Sequence, residues 1–140
     1  MRHFKEYAEK LRFSDLRPTK QRLMISQILF DQKKTFHFTI ESLNKIIKKN
    51  FNENISLATL YNTVHAFKKK GYIKKISVNE KKYYFDTNTS PHHHFYDEEA
   101  EKLIDINDSE VALNNLPKSP PGKHINGVEV MIRLASDNQN

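Results

Sequence analysis

The chain has 140 residues, with 23 Lys and Arg against 17 Asp and Glu for a formal charge of +6, seven His and no Cys. Its length suits one ordinary domain or two very small ones, and the lack of cysteine excludes both a disulfide framework and a thiolate zinc site, so any metal must be held by nitrogen and oxygen. No apolar run approaches the roughly 20 residues of a membrane span, and Met1-Arg2-His3-Phe4-Lys5-Glu6 lacks the apolar stretch of a secretory signal, so a cytoplasmic protein with no membrane partner is expected.

The charge is segregated. Residues 1–88 hold 19 basic and 8 acidic side chains, a formal +11, whereas residues 89–140 hold 4 and 9, a formal −5. Such a split predicts two domains, 1–88 and 89–140, the first facing a phosphate-bearing partner.

Phe4, Tyr7, Ala8 and Leu11 recur at helical spacing and predict a short helix over residues 3–13. Leu16-Arg17-Pro18-Thr19 breaks the pattern, since Pro18 holds Arg17 extended. The next helix buries Leu23, Ile25, Ile28 and Leu29 and carries Lys20 and Arg22 on a side that suits a backbone phosphate. Phe36-His37-Phe38 reads as an aromatic turn before a helix capped by Thr39, with Leu43, Ile46 and Ile47 inward. After the polar stretch from Asn50 to Asn54, Ser56 caps a third core helix with Leu57, Leu60, Val64 and Phe67 on one face. Ala58, Thr59, Tyr61, Asn62, His65 and Lys68 then point outward as a reading head.

Gly71 ends that helix after Lys68-Lys69-Lys70. Tyr72 to Val78 and Lys81 to Phe85 are β-prone and meet at Asn79-Glu80, which predicts an antiparallel hairpin. Three helices followed by a hairpin is the winged-helix order, in which the third core helix enters the major groove of double-stranded DNA. Lysine runs are commonly plain solvated faces; here they flank a capped helix and a hairpin, which favours DNA. Arg17, Lys20, Ser56, Thr59, Tyr61, Asn62, Lys68, Lys69 and Lys82 are the candidate contacts. Tyr61 and Asn62 are placed at bases or sugar-phosphate and the lysines at the backbone, with Tyr61 packed on the wing as the alternative.

Thr87 to Pro91 has the composition of a hinge. Beyond it Phe95-Tyr96, Leu103 to Ile106 and Val128 to Leu134 read as strands, with a helical segment from Glu110 to Leu116 stopped by Pro117, Pro120, Pro121 and Gly122. So small an α/β unit needs a second copy to bury its faces, which predicts a homodimer with two reading heads suited to a palindrome. His124 reads as a surface residue.

In an extended segment His92 and His94 point to one side and His93 to the other. His37 and Asp86, if folding brings them near, complete a set of three imidazoles and one carboxylate, which suits zinc, iron or manganese. The competing reading is a set of surface histidines that bind nothing. A ligand joining the two domains would set the spacing of the reading heads, provided that it binds the two geometries unequally.

Leu16-Arg17-Pro18-Thr19-Lys20-Gln21-Arg22, the run Ile55 to Val64 and His92-His93-His94-Phe95 together resemble the ferric uptake regulator family over almost the whole chain. The resemblance implies an N-terminal winged helix-turn-helix domain, a small α/β dimerisation domain, a regulatory metal site at His37, Asp86, His92 and His94, and a DNA-contacting tyrosine at Tyr61. Typical members carry a cysteine-pair zinc site after the histidine motif; here Asp97-Glu98-Glu99-Ala100-Glu101 stands there instead, which rules out a structural cysteine-ligated zinc. That pattern resembles the iron response regulator branch and implies haem sensing, with His92, His93 and His94 as haem ligands, although the N-terminal cysteine-proline haem motif is missing. The expected function is therefore an iron- or haem-responsive DNA-binding regulator, mainly a repressor, of iron and haem genes. Its effector is expected to be iron or manganese, with zinc in a purified form, or haem. The alternative is a regulator of the same fold that has lost sensing. An enzyme is not expected, because no nucleophile–base arrangement, phosphate loop or His-Glu-x-x-His helix is present.

Overall fold

Strong caps and short apolar stripes build the first half of the molecule. The computed structural model describes residues 3–137, which fall into two compact units, one reaching to Thr89 and the other beginning at Ser90.

In the first unit, α1 (Phe4–Phe13) buries Tyr7, Ala8 and Leu11. α2 (Lys20–Phe30) starts where the Thr19 side chain accepts the Arg22 amide. α3 (Ile40–Phe51) opens with a reciprocal Thr39–Ser42 capping box and buries Ile40, Leu43 and Ile47. α4 (Leu57–Lys69) is capped by Ser56, which accepts the Thr59 amide at 3.2 Å. Leu60, Val64 and Phe67 form its inward stripe, but Leu57, expected in that stripe, is 48% exposed. The physical reason lies one residue before the cap: Ile55 takes the core place and belongs with Leu60 to the same buried cluster, the arrangement of a hydrophobic staple. Gly71 stops α4 at φ +82°, a left-handed conformation that costs glycine little.

The wing is β2 (Lys74–Ser77) paired antiparallel with β3 (Tyr83–Asp86). Its turn is wider than the two-residue Asn79-Glu80 connection expected, because the Asn79 side chain accepts the amides of both Lys81 and Lys82 at 2.9 Å. The aromatic turn expected at residues 36–38 is partly a strand. β1 (His37–Phe38) pairs with the other edge of β3, giving the order β1-β3-β2, and its register sets His37 opposite Asp86 and Phe38 opposite Phe85. The Phe38 and Phe85 rings stack at 5.6 Å, tying that register to the buried cluster.

In the second unit β4 (His92–Asp97) is central, antiparallel to β5 (Lys102–Asn107) and parallel to β6 (Met131–Leu134). The first strand thus starts at the histidines rather than at Phe95, and the last is shorter than expected. The helix expected from Glu110 to Leu116 is absent; a single 3₁₀ turn, Asp108–Glu110, stands before it. Asn115 adopts φ +59°, which a right-handed helix cannot accommodate, and Pro117 disfavours helical geometry at Leu116. The described part of this unit is accordingly β-rich, with Ile104, Leu113, Leu116, Ile125, Val128 and Ile132 exposed. Among the described residues no helix is long and apolar enough to cross a membrane.

Candidate metal centre and nucleic-acid face

Two half-sites rich in nitrogen and oxygen donors are held by the two sheets. In the first unit the β1–β3 register brings His37 Nε2 to 3.4 Å from Asp86 Oδ2. Asp86 is fully buried, and its other oxygen, Oδ1, accepts the Asn88 amide at 2.8 Å. That bond fixes the carboxylate plane and turns Oδ2 toward the imidazole, the kind of support that orients metal ligands.

In the second unit the strand alternation of β4 sets His92 and His94 on one side, with ring centres 4.5 Å apart. Asp105, opposite His94 in the β4–β5 register, puts Oδ1 at 3.4 Å from His92 Nε2 and 3.2 Å from His94 Nε2. His92 Nδ1 lies 2.7 Å from the Ser90 carbonyl; only a protonated Nδ1 can donate there, which leaves the Nε2 lone pair beside Asp105 in the neutral ring. Sequence reasoning missed Asp105. Its position in Leu103-Ile104-Asp105-Ile106 marks a carboxylate inside a β-prone run, but only the strand register reveals that it faces a histidine.

His93 does something else. The Val130 amide donates to His93 Nδ1 at 2.9 Å, so Nε2 carries the proton and donates to Asp108 Oδ1 at 3.0 Å. Both nitrogens are committed within the second unit, linking β4 to the approach to β6 and to the 3₁₀ turn, and neither retains a lone pair for a metal or a haem iron. His93→Phe keeps the ring and removes both bonds; it is expected to destabilise the second unit by roughly 1–3 kcal/mol in thermal unfolding, with the number of bound metal ions unchanged.

In the first unit, α4 leaves Ala58, Asn62, His65, Lys68 and Lys69 exposed. Tyr61 is 41% exposed yet also touches the wing, where its hydroxyl accepts from Tyr83 at 3.2 Å. Ser56 and Thr59 are engaged in the cap, with the Ser56 hydroxyl donating to Thr59 Oγ1 at 2.9 Å. Arg17 is exposed and lends its carbonyl to the Arg22 guanidinium. Lys20 sits 3.1 Å from Glu53, an exposed pair that a phosphate can displace at small cost. Lys82 lies over the Tyr84 ring.

The description of the ferric uptake regulator family matches residues 14–130. The chain belongs to that family. The winged-helix unit ahead of a β-rich unit is the architecture that the family's solved structures share. It is 32% identical over 101 residues to the peroxide-responsive repressor PerR of Staphylococcus aureus Mu50, across 72% of this chain and 66% of that protein. It is 31% identical over 102 residues to the peroxide operon regulator of Bacillus subtilis, across 73% and 68%. The aligned stretch thus spans about two thirds of those relatives' length. The fold is shared with the ferric uptake regulator of Pseudomonas aeruginosa with manganese, at a TM-score of 0.68, 18% identity and coverage of 93% and 97%. The two curated relatives correct the branch assignment: both are peroxide regulators, so the chain belongs to the family but not to its iron response regulator branch.

Proposed function

We propose that the chain is a homodimeric repressor that binds double-stranded DNA tightly when one divalent ion, iron or manganese, joins His37 and Asp86 of the first unit to His92, His94 and Asp105 of the second. The observation that carries this reading is the pair of preassembled half-sites, each with a carboxylate oxygen beside an imidazole nitrogen. Imidazole and carboxylate without thiolate suit iron, manganese or zinc, so availability rather than donor chemistry selects among them. The ion would supply positive charge that offsets Asp86 and Asp105. The protein's own part is to present His92 in one tautomer and to hold Asp86 in one plane.

Coupling to DNA requires that the ion favour one placement of the reading heads over others. Tyr61, Asn62, Lys68, Lys69 and Lys82 then read and position the duplex, with Arg17 and Lys20 on the backbone. The exposed apolar side chains of the second unit suit burial against a second copy, and dimeric DNA binding is what the family's fold implies. Burial of His92, His93 and His94, none more than 5% exposed, supports a bare ion over a porphyrin, which needs an open imidazole face.

The relatives' names favour one addition, peroxide as the signal; a ferrous ion held by imidazole and carboxylate would be the group that peroxide oxidises. With no cysteine in the chain, no thiol is available to be oxidised. Selection from a random DNA library, carried out without metal, with manganous ion, with ferrous ion and with haem, tests the whole reading. A palindromic site bound tightly only with metal is the expected result, and hydrogen peroxide should release the ferrous complex but not the manganous one. Equal affinity in every condition would contradict metal control and favour a regulator of the same fold that has lost sensing.

A further inference from the structure

A pair of hydroxyls links the wing to α4. Tyr83 on β3 donates to Tyr61 on α4 at 3.2 Å, and the Lys75 ammonium lies 4.1 Å from the centre of the Tyr83 ring, a cation–π contact that pins the ring. The Phe85 ring flanks it edge-on at 5.5 Å. The bond to Tyr61, and then burial, push the Tyr83 hydroxyl up to about 12, so it keeps its proton over the whole physiological range.

A phenol carries one proton and can accept as well as donate. By accepting from Tyr83, the Tyr61 hydroxyl spends an acceptor position on the protein and turns its own proton outward, where the residue is 41% exposed. A hydroxyl with no such partner is free to rotate and pair with either a donor or an acceptor.

We propose that Tyr83 is a positioning residue for DNA reading: it fixes the Tyr61 hydroxyl as a hydrogen-bond donor toward an acceptor atom of the duplex, either a phosphate oxygen or a base-edge acceptor such as purine N7 or thymine O4. This rests on the reading of α4 as the DNA-facing helix. It also accounts for how Tyr61 can touch the wing and still face solvent.

The test uses the full manganese-loaded chain on its selected operator and on random DNA, with Tyr83→Phe, Tyr61→Phe, the double variant and a Lys68→Ala/Lys69→Ala control. Tyr83→Phe retains the ring beneath Lys75 and beside Phe85, and thermal unfolding verifies that the fold is kept. Each single tyrosine variant is expected to weaken operator binding by roughly 3–10-fold, and the double variant to bind no worse than Tyr61→Phe, as coupled groups do. Loss confined to the operator identifies a base acceptor, whereas equal loss on random DNA identifies a phosphate. Wild-type affinity of Tyr83→Phe, or losses that multiply in the double variant, overturns the proposal. If Tyr61→Phe is silent while the lysine control weakens binding, the proposal falls alone; if neither matters, the DNA-facing reading of α4 falls with it.

Discussion

His94→Ala is expected to lower manganese affinity by about 100-fold or more and to abolish the metal-dependent gain in operator affinity, leaving weak salt-sensitive binding to random DNA. Loss of even a supporting partner behind a metal ligand commonly costs roughly 10–100-fold, and His94 is proposed as a ligand itself. Its Nε2 lies 3.2 Å from Asp105 Oδ1, and the side chain is buried, so truncation removes one of the few imidazole nitrogens at the cluster. The lysines of α4 and the wing are untouched by the change, and phosphate attraction therefore persists. Isothermal titration with manganous ion and fluorescence-anisotropy binding to operator and random DNA separate the two effects. An operator affinity that still rises with metal in this variant would remove His94 from the regulatory site.

Phe67→Ala is expected to destabilise the first unit by about 3–5 kcal/mol and to abolish operator binding at temperatures where the unit melts. Phe67 is 1% exposed, and its ring meets Phe30 edge-on at 5.5 Å and Tyr72 at 6.4 Å. Truncation leaves a cavity where α2, α4 and the chain entering the wing converge, and these stiff aromatic rings can fill it only by leaving their rotamers. Leu57→Ala, on the same helix but largely exposed, should stay within about 0.5 kcal/mol of the parent. Chemical denaturation of both variants reads the difference; a Phe67→Ala loss no larger than that of Leu57→Ala would contradict the packing described for α4.

The winged-helix order was legible because its helices carry local signals: the break at Pro18 before α2, Thr39 and Ser56 as caps, the apolar stripes, and Gly71 as a stop. Leu57 was misplaced because periodicity alone does not distinguish the first helical residue from Ile55, which enters the core from outside the helix. The helix expected after Glu110 failed on local grounds that the residues do carry, Asn114-Asn115 followed by Pro117, which outweighed a short apolar pattern. At the candidate site, strand alternation was enough to group His92 with His94 and to set His93 apart. Register was not legible. The pairing of His37 with Asp86 depends on a two-residue strand, and that of Asp105 with His94 on a non-local ladder, neither of which leaves a local signature. The engagement of His93 by Val130 and Asp108 is likewise a product of chain return. The branch assignment failed for a different reason: a histidine run with an acidic stretch is a short motif, and similarity over 101 residues to peroxide regulators outweighs it.

The most direct measurement is manganese binding stoichiometry in the wild-type chain beside His37→Ala and His94→Ala, one substitution in each unit. A single ion site that joins the units requires one ion per chain in the wild type, and each substitution should weaken the binding of that same ion to a similar degree. An ion bound with wild-type affinity in His37→Ala but lost in His94→Ala would show that the second unit holds metal by itself, and would contradict the proposal that metal controls DNA binding by joining the two units.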